Sequence, residues 1–308
     1  MFNRLIMIDL EKHLPKKCAF DPKKIVVTPG RPVALAKDFE TDYTGTYKAK
    51  KDAEADLATN VQRLADQQDL LYASDTYSVL ILFQAMDAAG KDGTIKHVMS
   101  GINPQGCQVQ SFKVPSAEEL DHDYLWRTTR SLPRRGQIGI FNRSYYEEVL
   151  VTRVHPEILG HEHLPPKLDK KNIWKQRFDD INNFERYLTN NGTVLLKFFL
   201  NVAKDEQKKR FLKRIEEKEK NWKFSASDIR ERQFWPQYIN AYEQVFTHTS
   251  TPWAPWFVIP ADHKWFTRLC VSQVIVAALK SLDLRYPTVP TSKAEELEKA
   301  KQELLSEK

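Results

Sequence analysis

The chain has 308 residues and a net charge of +6, from 47 lysines and arginines against 41 aspartates and glutamates. Hydrophobic residues make up 41% and aromatic residues 11%, which is enough for a sizeable core and excludes disorder over most of the length. Ten glycines exclude a collagen-like repeat, while a pI near 9.0 points to an anionic partner without choosing among nucleic acid, membrane surface, nucleotide and phosphate chain.

Residues 1–74 read as an N-terminal extension, irregular at first under Pro15, Pro22, Pro29 and Pro32. An amphipathic helix follows over 49–71, marked by Leu57, Val61, Leu64, Gln68 and Leu71. Residues 75–285 then alternate apolar runs with helical stretches. The run 78–84 has the continuous hydrophobicity of a strand buried on both faces, and 137–141, 194–200 and 256–260 are like it, with a weaker run at 107–112. Helical patterns cover about 116–130, 172–190, 204–219, 229–246 and 262–282. This alternation predicts an α/β domain with a mainly parallel sheet. Residues 286–308 form a charged tail, either a solvated helix or frayed.

Cys18, Cys107 and Cys270 show no paired spacing, which argues against a disulfide framework or zinc site and for a reducing compartment. Charge interrupts residues 1–9 too early for a secretory signal, and the longest apolar stretch, 269–279, is too short for a bilayer of about 30 Å. The expected location is the cytoplasm, without membrane attachment.

The most informative segment leaves the first strand: Ala85-Met86-Asp87-Ala88-Ala89-Gly90-Lys91-Asp92-Gly93-Thr94. A strand-to-helix turn offers unpaired N–H groups and a partial positive charge to an anion. Gly90 lets the backbone approach phosphate oxygens, and Lys91 can reach over them. Ala88, Ala89, Gly90, Asp92 and Gly93, with Lys96 one turn further on, are the candidate phosphate-binding residues. The segment departs from G-x-x-x-x-G-K-[ST], with Ala85 at the first glycine and Asp92 at the Ser/Thr. Asp87 beside bound phosphates needs an intervening cation, so it is expected to position Mg²⁺ or hold an acceptor group. The plainer reading is a turn aspartate capping the helix.

The strand at 137–141 ends in Phe141-Asn142-Arg143-Ser144-Tyr145-Tyr146-Glu147-Glu148, which in a parallel sheet faces the loop. Arg143 is placed to fork onto phosphate oxygens, and Glu147 and Glu148 to hold metal or meet a nucleotide, unless they are ordinary first-turn helix acids. Arg127, Arg130, Arg134 and Arg135 just before this strand suit a polyanion groove or simply a soluble surface. Residues 204–223 carry Lys208, Lys209, Arg210, Lys213, Arg214, Lys218, Lys220 and Lys223. Arg210 and Arg214 share a helix face, although interspersed acids also fit a solvated helix. His155, His161 and His163 lack the spacing of a helical zinc site. Trp222, Phe234, Trp235, Trp253 and Trp256 are either core or base-stacking residues.

Together, residues 86–93, 141–146 and the stretch beginning Lys204-Asp205-Glu206-Gln207 resemble the second family of polyphosphate kinases, over roughly residues 43–284. The resemblance implies a three-layer α/β/α P-loop kinase fold with a parallel central sheet and a helical lid at about 204–235. It implies transfer of phosphoryl groups between inorganic polyphosphate and nucleoside mono-, di- and triphosphates, dependence on Mg²⁺ with Mn²⁺ as substitute, and a homo-oligomer, dimer or tetramer. Asp87 and Lys91 match the functional aspartate and lysine of the first motif, Arg143 the arginine of the second, and Arg210 best matches the lid arginine, with Arg214 next. Asn142 stands where many members have an acid, and with Glu147 and Glu148 looks like the third class, which acts on mono- and diphosphates. Asp87, Lys91, Arg143 and Arg210 are thus the expected catalytic residues. Asn142, Glu147 and Arg130 are expected at the nucleotide, and Asp87, Glu147 and Glu148 at the metal. The rival readings are an ATP-dependent small-molecule kinase on the same scaffold and a polyanion-binding module without chemistry. No nucleic-acid partner is expected.

Overall fold

The computed structural model describes residues 10–15, 18–168 and 171–307, so the reading made of residues 1–9 lies outside the described residues, as do the side chains of Lys220 and Lys223. A long helix, α1 (Lys50–Ser74), leads into the first strand, β1 (Ser78–Ala85). The chain continues through α2 (Lys91–Val98), β2 (Cys107–Ser111), β3 (Ile138–Asn142), α3 (Glu147–Val154) and α4 (Ile173–Asn190). It then passes through β4 (Thr193–Asn201), α5 (Lys204–Glu216), α6 (Ala226–Glu231), α7 (Trp235–Thr249), β5 (Trp256–Pro260), α8 (Lys264–Lys280) and α9 (Thr291–Ser306).

The five strands are all parallel, in the order β2-β3-β1-β4-β5. β1 and β4 are buried at every residue, which is why their sequences run apolar instead of alternating. Right-handed crossovers place α2 and α8, packed with α1, on one face, and α3, α4 and α7 on the other, giving three layers. Register brings Phe83 opposite both Asn142 and Phe198, so β1, β3 and β4 finish at one edge of the sheet. That edge, where the chain switches sides around β1, is where an open α/β sheet leaves a crevice.

The N-terminal extension closes the β5 side of the sheet. Val27 N–H donates to Trp256 O at 2.9 Å and Val258 N–H to Ile25 O at 2.7 Å, while Phe20, Ile25, Val27 and Leu35 are buried. At the other side β2 is largely exposed, which explains its weak apolar pattern.

Behind the crevice lies a buried polar cluster. Lys197, in the middle of β4, donates to Glu185 Oε2 at 2.7 Å, Thr249 O at 2.7 Å and Tyr146 Oη at 3.0 Å. The hydroxyls of Tyr145 and Tyr146 donate to Glu185 Oε1 at 2.9 and 2.7 Å. With both charges paired and hydrogen-bonded, the cluster fixes the turn from β3 into α3.

Two helices expected as continuous are broken. Over 116–130 the structure has only Ala117–Leu120 and Trp126–Thr129, because Asp123 Oδ1 accepts Leu125 N–H at 3.0 Å and its carbonyl accepts Trp126 N–H, an Asx-type turn. Over 229–246 a 3₁₀ turn at Arg232–Phe234 separates α6 from α7, whose first turn holds Pro236 and cannot continue a preceding helix. The charged tail is helical as α9 and exposed wherever described. Among the described residues no helix is long and apolar enough to cross a membrane.

Candidate active site

β1 delivers the loop 86–90 to the crevice. Ala88 (φ +59°) and Gly90 (φ +108°) both take the left-handed conformation, which turns the chain sharply before α2 begins at Lys91. An alanine with positive φ is strained and persists only where its surroundings hold it. Lys91 Nζ folds back to Ala85 O at 3.1 Å. Burial pushes the Lys91 pKa down, while the Asp87 carboxylate acts against that. Loop and lysine together line one wall of the crevice at the end of β1.

β3 ends beside it. Asn142 Nδ2 donates to Asp92 Oδ1 at 2.8 Å, so a neutral amide stands where a second carboxylate would face the first. Arg143, also at positive φ (+65°), donates its own N–H to Phe83 O at 3.0 Å and reaches Asp87 Oδ1 with Nη2 at 3.5 Å. Glu147 raises the Arg143 pKa, against the loss of water around the guanidinium. Burial in turn raises the Glu147 carboxyl, which Arg143 and Lys91 pull back. Tyr242 and Tyr238 of α7 lie near enough to Glu147 and Asp87 for both acids to raise their hydroxyls further, beyond what burial does.

The lid arginines differ from expectation. Arg210 is 7% exposed, and its guanidinium is fully engaged within the protein. Nη1 donates to Ala88 O at 3.2 Å and Ala89 O at 2.8 Å, Nη2 to Ala261 O at 2.6 Å and Asp262 O at 3.0 Å, and Nε to Glu206 Oε1 at 2.9 Å. It holds the loop by its carbonyls while also lining the cavity beside it, so in this structure its Nη1 and Nη2 hydrogen bonds go to the main chain. Arg214 pairs with Asp228 of α6 at 3.7 Å, joining the two lid helices.

In front of the loop is a cavity of about 610 Å³. Its lining includes loop residues 87–94, Phe112, Asn142 and eight cationic side chains: Lys91, Lys113, Arg143, Arg210, Lys213, Arg214, Lys264 and Arg268. Against them stand the carboxylates of Asp87 and Asp92 only. Lys113, Lys264 and Arg268 escape a motif-based reading. The signal for them is positional, since every strand-to-helix junction of a parallel sheet opens on the same edge, and Lys264 and Arg268 sit one turn apart at the start of α8. Burial lowers the Arg268 pKa, and its buried Nε has no hydrogen-bond partner among the described residues.

Four expected site residues, Lys96, Arg130, Glu147 and Glu148, do not line this cavity, Glu147 being coupled to it through Arg143 and Lys91. Lys96 is exposed further along α2. Arg130, on the outer surface, lays its guanidinium 4.6 Å from the Trp126 ring centroid and 3.9 Å from Glu118. Glu148 is the clearest correction. Adjacent helical residues point about 100° apart, so Glu147 and Glu148 cannot both face the loop. Glu148 turns inward, accepts from Arg127 Nη2 at 3.0 Å, and lines a separate small cavity with Tyr124 and Glu162. A metal there would have to displace a buried arginine. Of the aromatic residues, Trp256 is fully buried core and Trp222 lies on the lid surface.

Among the described residues no three or more His, Cys, Asp or Glu side chains gather as a ligand set. A hard divalent cation that joins phosphates to protein needs only one or two carboxylates, the phosphates and water supplying the rest. Asp87, about one-third exposed beside Arg143, together with Glu147 behind it, fits that mode and not a closed all-protein cage.

A central strand feeding a lysine-bearing loop, with cations on the facing strand ends and helices, is the arrangement by which P-loop phosphotransferases hold a moving phosphoryl group. The comparisons give the family. The sequence description of "Polyphosphate kinase 2 (PPK2)" matches residues 47–287. The chain is 54% identical over 284 residues to an ADP-polyphosphate phosphotransferase of Rhodopseudomonas palustris, covering 92% of this chain and 98% of that one. It is 44% identical over 257 residues to an AMP/ADP-polyphosphate phosphotransferase of Meiothermus ruber, with 83% and 92% covered. The crystal structure of polyphosphate kinase 2 from Arthrobacter aurescens superposes with a TM-score of 0.82 at 37% identity, over 92% of this chain and 98% of that one. The chain belongs to the polyphosphate kinase 2 family and is a phosphotransferase of that type.

Proposed function

We propose that this enzyme moves a phosphoryl group from inorganic polyphosphate to nucleoside mono- and diphosphates, AMP and ADP or GMP and GDP, and runs in reverse. The observation that carries the reading is the imbalance of the cavity, eight cations to two carboxylates around the loop, which suits a long polyanion better than a compact neutral metabolite. The names of the relatives, phosphotransferases acting on ADP or on AMP and ADP with polyphosphate, support the same substrates here.

In this mechanism the donor chain lies along Lys113, Lys213, Lys264 and Arg268, with its terminal phosphate on the loop under Lys91. The acceptor phosphate approaches from the side of Arg143, Asn142 and Glu147. Asp87 and Glu147, together with substrate oxygens, would hold Mg²⁺, or Mn²⁺ in its place, which would supply charge neutralisation at the transferring group. The loop amides and Lys91 take charge that spreads over the equatorial oxygens, and Arg143 draws the two substrates into line. An acceptor phosphate is already largely ionised near neutral pH, so no strong general base is required. Homo-oligomeric assembly, as a dimer or tetramer, and a place in the cytoplasm belong to the same proposal, on the strength of family membership.

The test is direct. Purified protein with Mg²⁺, polyphosphate as sole donor, and AMP, ADP, GMP or GDP is analysed by anion-exchange chromatography. The expected products are the next higher nucleotides. Product formed only when ATP is supplied as donor would replace this reading with an ATP-dependent small-molecule kinase.

A further inference from the structure

The phosphate loop has an outer wall, and it belongs to the lid. Gln207, 2% exposed in the first turn of α5, donates from Nε2 to Asp87 O at 2.8 Å. Arg210, three residues on and so on the same helix face, takes Ala88 O and Ala89 O with Nη1. The carbonyls of three consecutive loop residues are therefore held by one helical turn. That turn is itself braced: Arg232, in the 3₁₀ turn after α6, donates from Nη1 to Gln207 Oε1 and to Lys204 O, each at 2.7 Å. Arg210 Nη2 ties the same group to Ala261 O and Asp262 O at the end of β5.

In a planar trans peptide the C=O of one residue and the N–H of the next point in opposite directions. Holding Asp87 O outward aims Ala88 N–H inward, and holding Ala89 O outward aims Gly90 N–H inward. Ala89 N–H, the amide between them, is used inside the turn, to Met86 O at 3.3 Å. The following amides, in the first turn of α2, have no carbonyl of their own helix to reach. We propose that Gln207, Arg210 and Arg232 are positioning residues that hold the carbonyls of Asp87, Ala88 and Ala89 away from the cavity and thereby aim the loop amides at the transferring phosphate. The strained Ala88 needs such a grip, since nothing in its own side chain stabilises positive φ. The same contacts make the lid and the loop one unit, so a lid that swings from its base releases the loop carbonyls.

The inference rests on the loop being the phosphate seat, and not on which donor supplies the phosphate. The test has two arms. In steady-state kinetics with polyphosphate and ADP, Gln207→Glu keeps the acceptor for Arg232 and loses the donor to Asp87 O. Its kcat is expected to fall about 10- to 30-fold with both KM values within about twofold, as for an interaction expressed in the transition state. Arg210→Lys keeps the charge but cannot span both carbonyl pairs, and is expected to lose about 100-fold in kcat. Arg232→Ala removes a half-exposed side chain that the core does not need, and is expected to lose about threefold. In the second arm, hydrogen–deuterium exchange on the substrate-free enzyme is expected to speed up over residues 86–91 in all three variants and stay unchanged in β1 and β4.

Near-normal turnover in Arg210→Lys would show that charge alone suffices, as for direct phosphate contact, and would overturn the proposal. So would unchanged loop exchange in Gln207→Glu and Arg232→Ala. Should either buried-site variant misfold, Arg232→Ala decides alone; should polyphosphate fail as donor, the exchange arm still decides.

Discussion

The two flanks of β1 differ in charge and in burial. Towards α2 and α8 the loop opens on Lys113, Lys213, Lys264 and Arg268, a wide basic surface. Towards α3 and α7 it meets Arg143 and Glu147, with Tyr238 and Tyr242 behind, a mixed and more buried environment in which each charge shifts the other's pKa. A long, featureless polyanion asks only for many positive contacts. A nucleotide asks for a shaped pocket with both signs of charge. In the proposed reaction, one loop between them would let a single phosphoryl group belong first to one ligand and then to the other.

The largest expected effect falls on what the two flanks share. Lys91→Ala should lower kcat by about 10³-fold or more with folding retained, measured by steady-state turnover and circular dichroism. Near-normal turnover would mean the loop is not the seat. Arg143 bridges the flanks, and Arg143→Lys keeps its charge but loses the fork. A loss of about 10- to 100-fold in kcat/KM for the nucleotide is expected, with a much smaller effect on the KM for polyphosphate.

The smallest effect concerns Glu148, which pairs with Arg127 away from the phosphate loop. Glu148→Gln should hold Mg²⁺-dependent turnover within about threefold. Its stability consequence depends on pH. Burial pushes the Glu148 pKa up to about 7 against the pull of Arg127, so the folded state holds a proton that the unfolded chain releases near the ordinary carboxylate value. The folded state therefore loses stability from this group as pH rises from about 4.5 to about 7, and no more above it. Melting temperatures of wild type and Glu148→Gln should diverge in the variant's favour between pH 5 and pH 8. Parallel curves would contradict the buried placement.

Much of the fold is legible in the sequence because parallel strands buried on both faces must be written as continuous apolar runs, and β1 and β4 are. The loop is legible for a similar reason, since small residues and a lysine at a strand-to-helix turn leave few alternatives. β2, exposed at the sheet edge, is written weakly. The break at Arg232–Phe234 is signalled by Pro236 but outweighed by the apolar pattern on either side of it. Glu148 shows the limit of reading acids by proximity along the chain, where one residue's step along a helix turned a site acid into a buried ion-pair partner. Arg210 shows a deeper limit. Its partners are main-chain carbonyls more than a hundred residues away at Ala88 and Ala89, and backbone acceptors carry no signature in a sequence. Lys197 is hidden likewise, a single lysine in a strand run whose counter-charge, Glu185, sits on a neighbouring helix.

The division of labour between the flanks is tested most directly by titrating both substrates against two variants, Arg268→Ala on the α8 side and Glu147→Gln on the α3 side. A crossed result is expected. Arg268→Ala should raise the KM for polyphosphate about three- to tenfold, and more steeply at low salt, with the nucleotide KM unmoved. Glu147→Gln should raise the nucleotide KM and lower kcat by about tenfold or more, with the KM for polyphosphate unmoved. Both variants shifting the same substrate, or each shifting both equally, would contradict it.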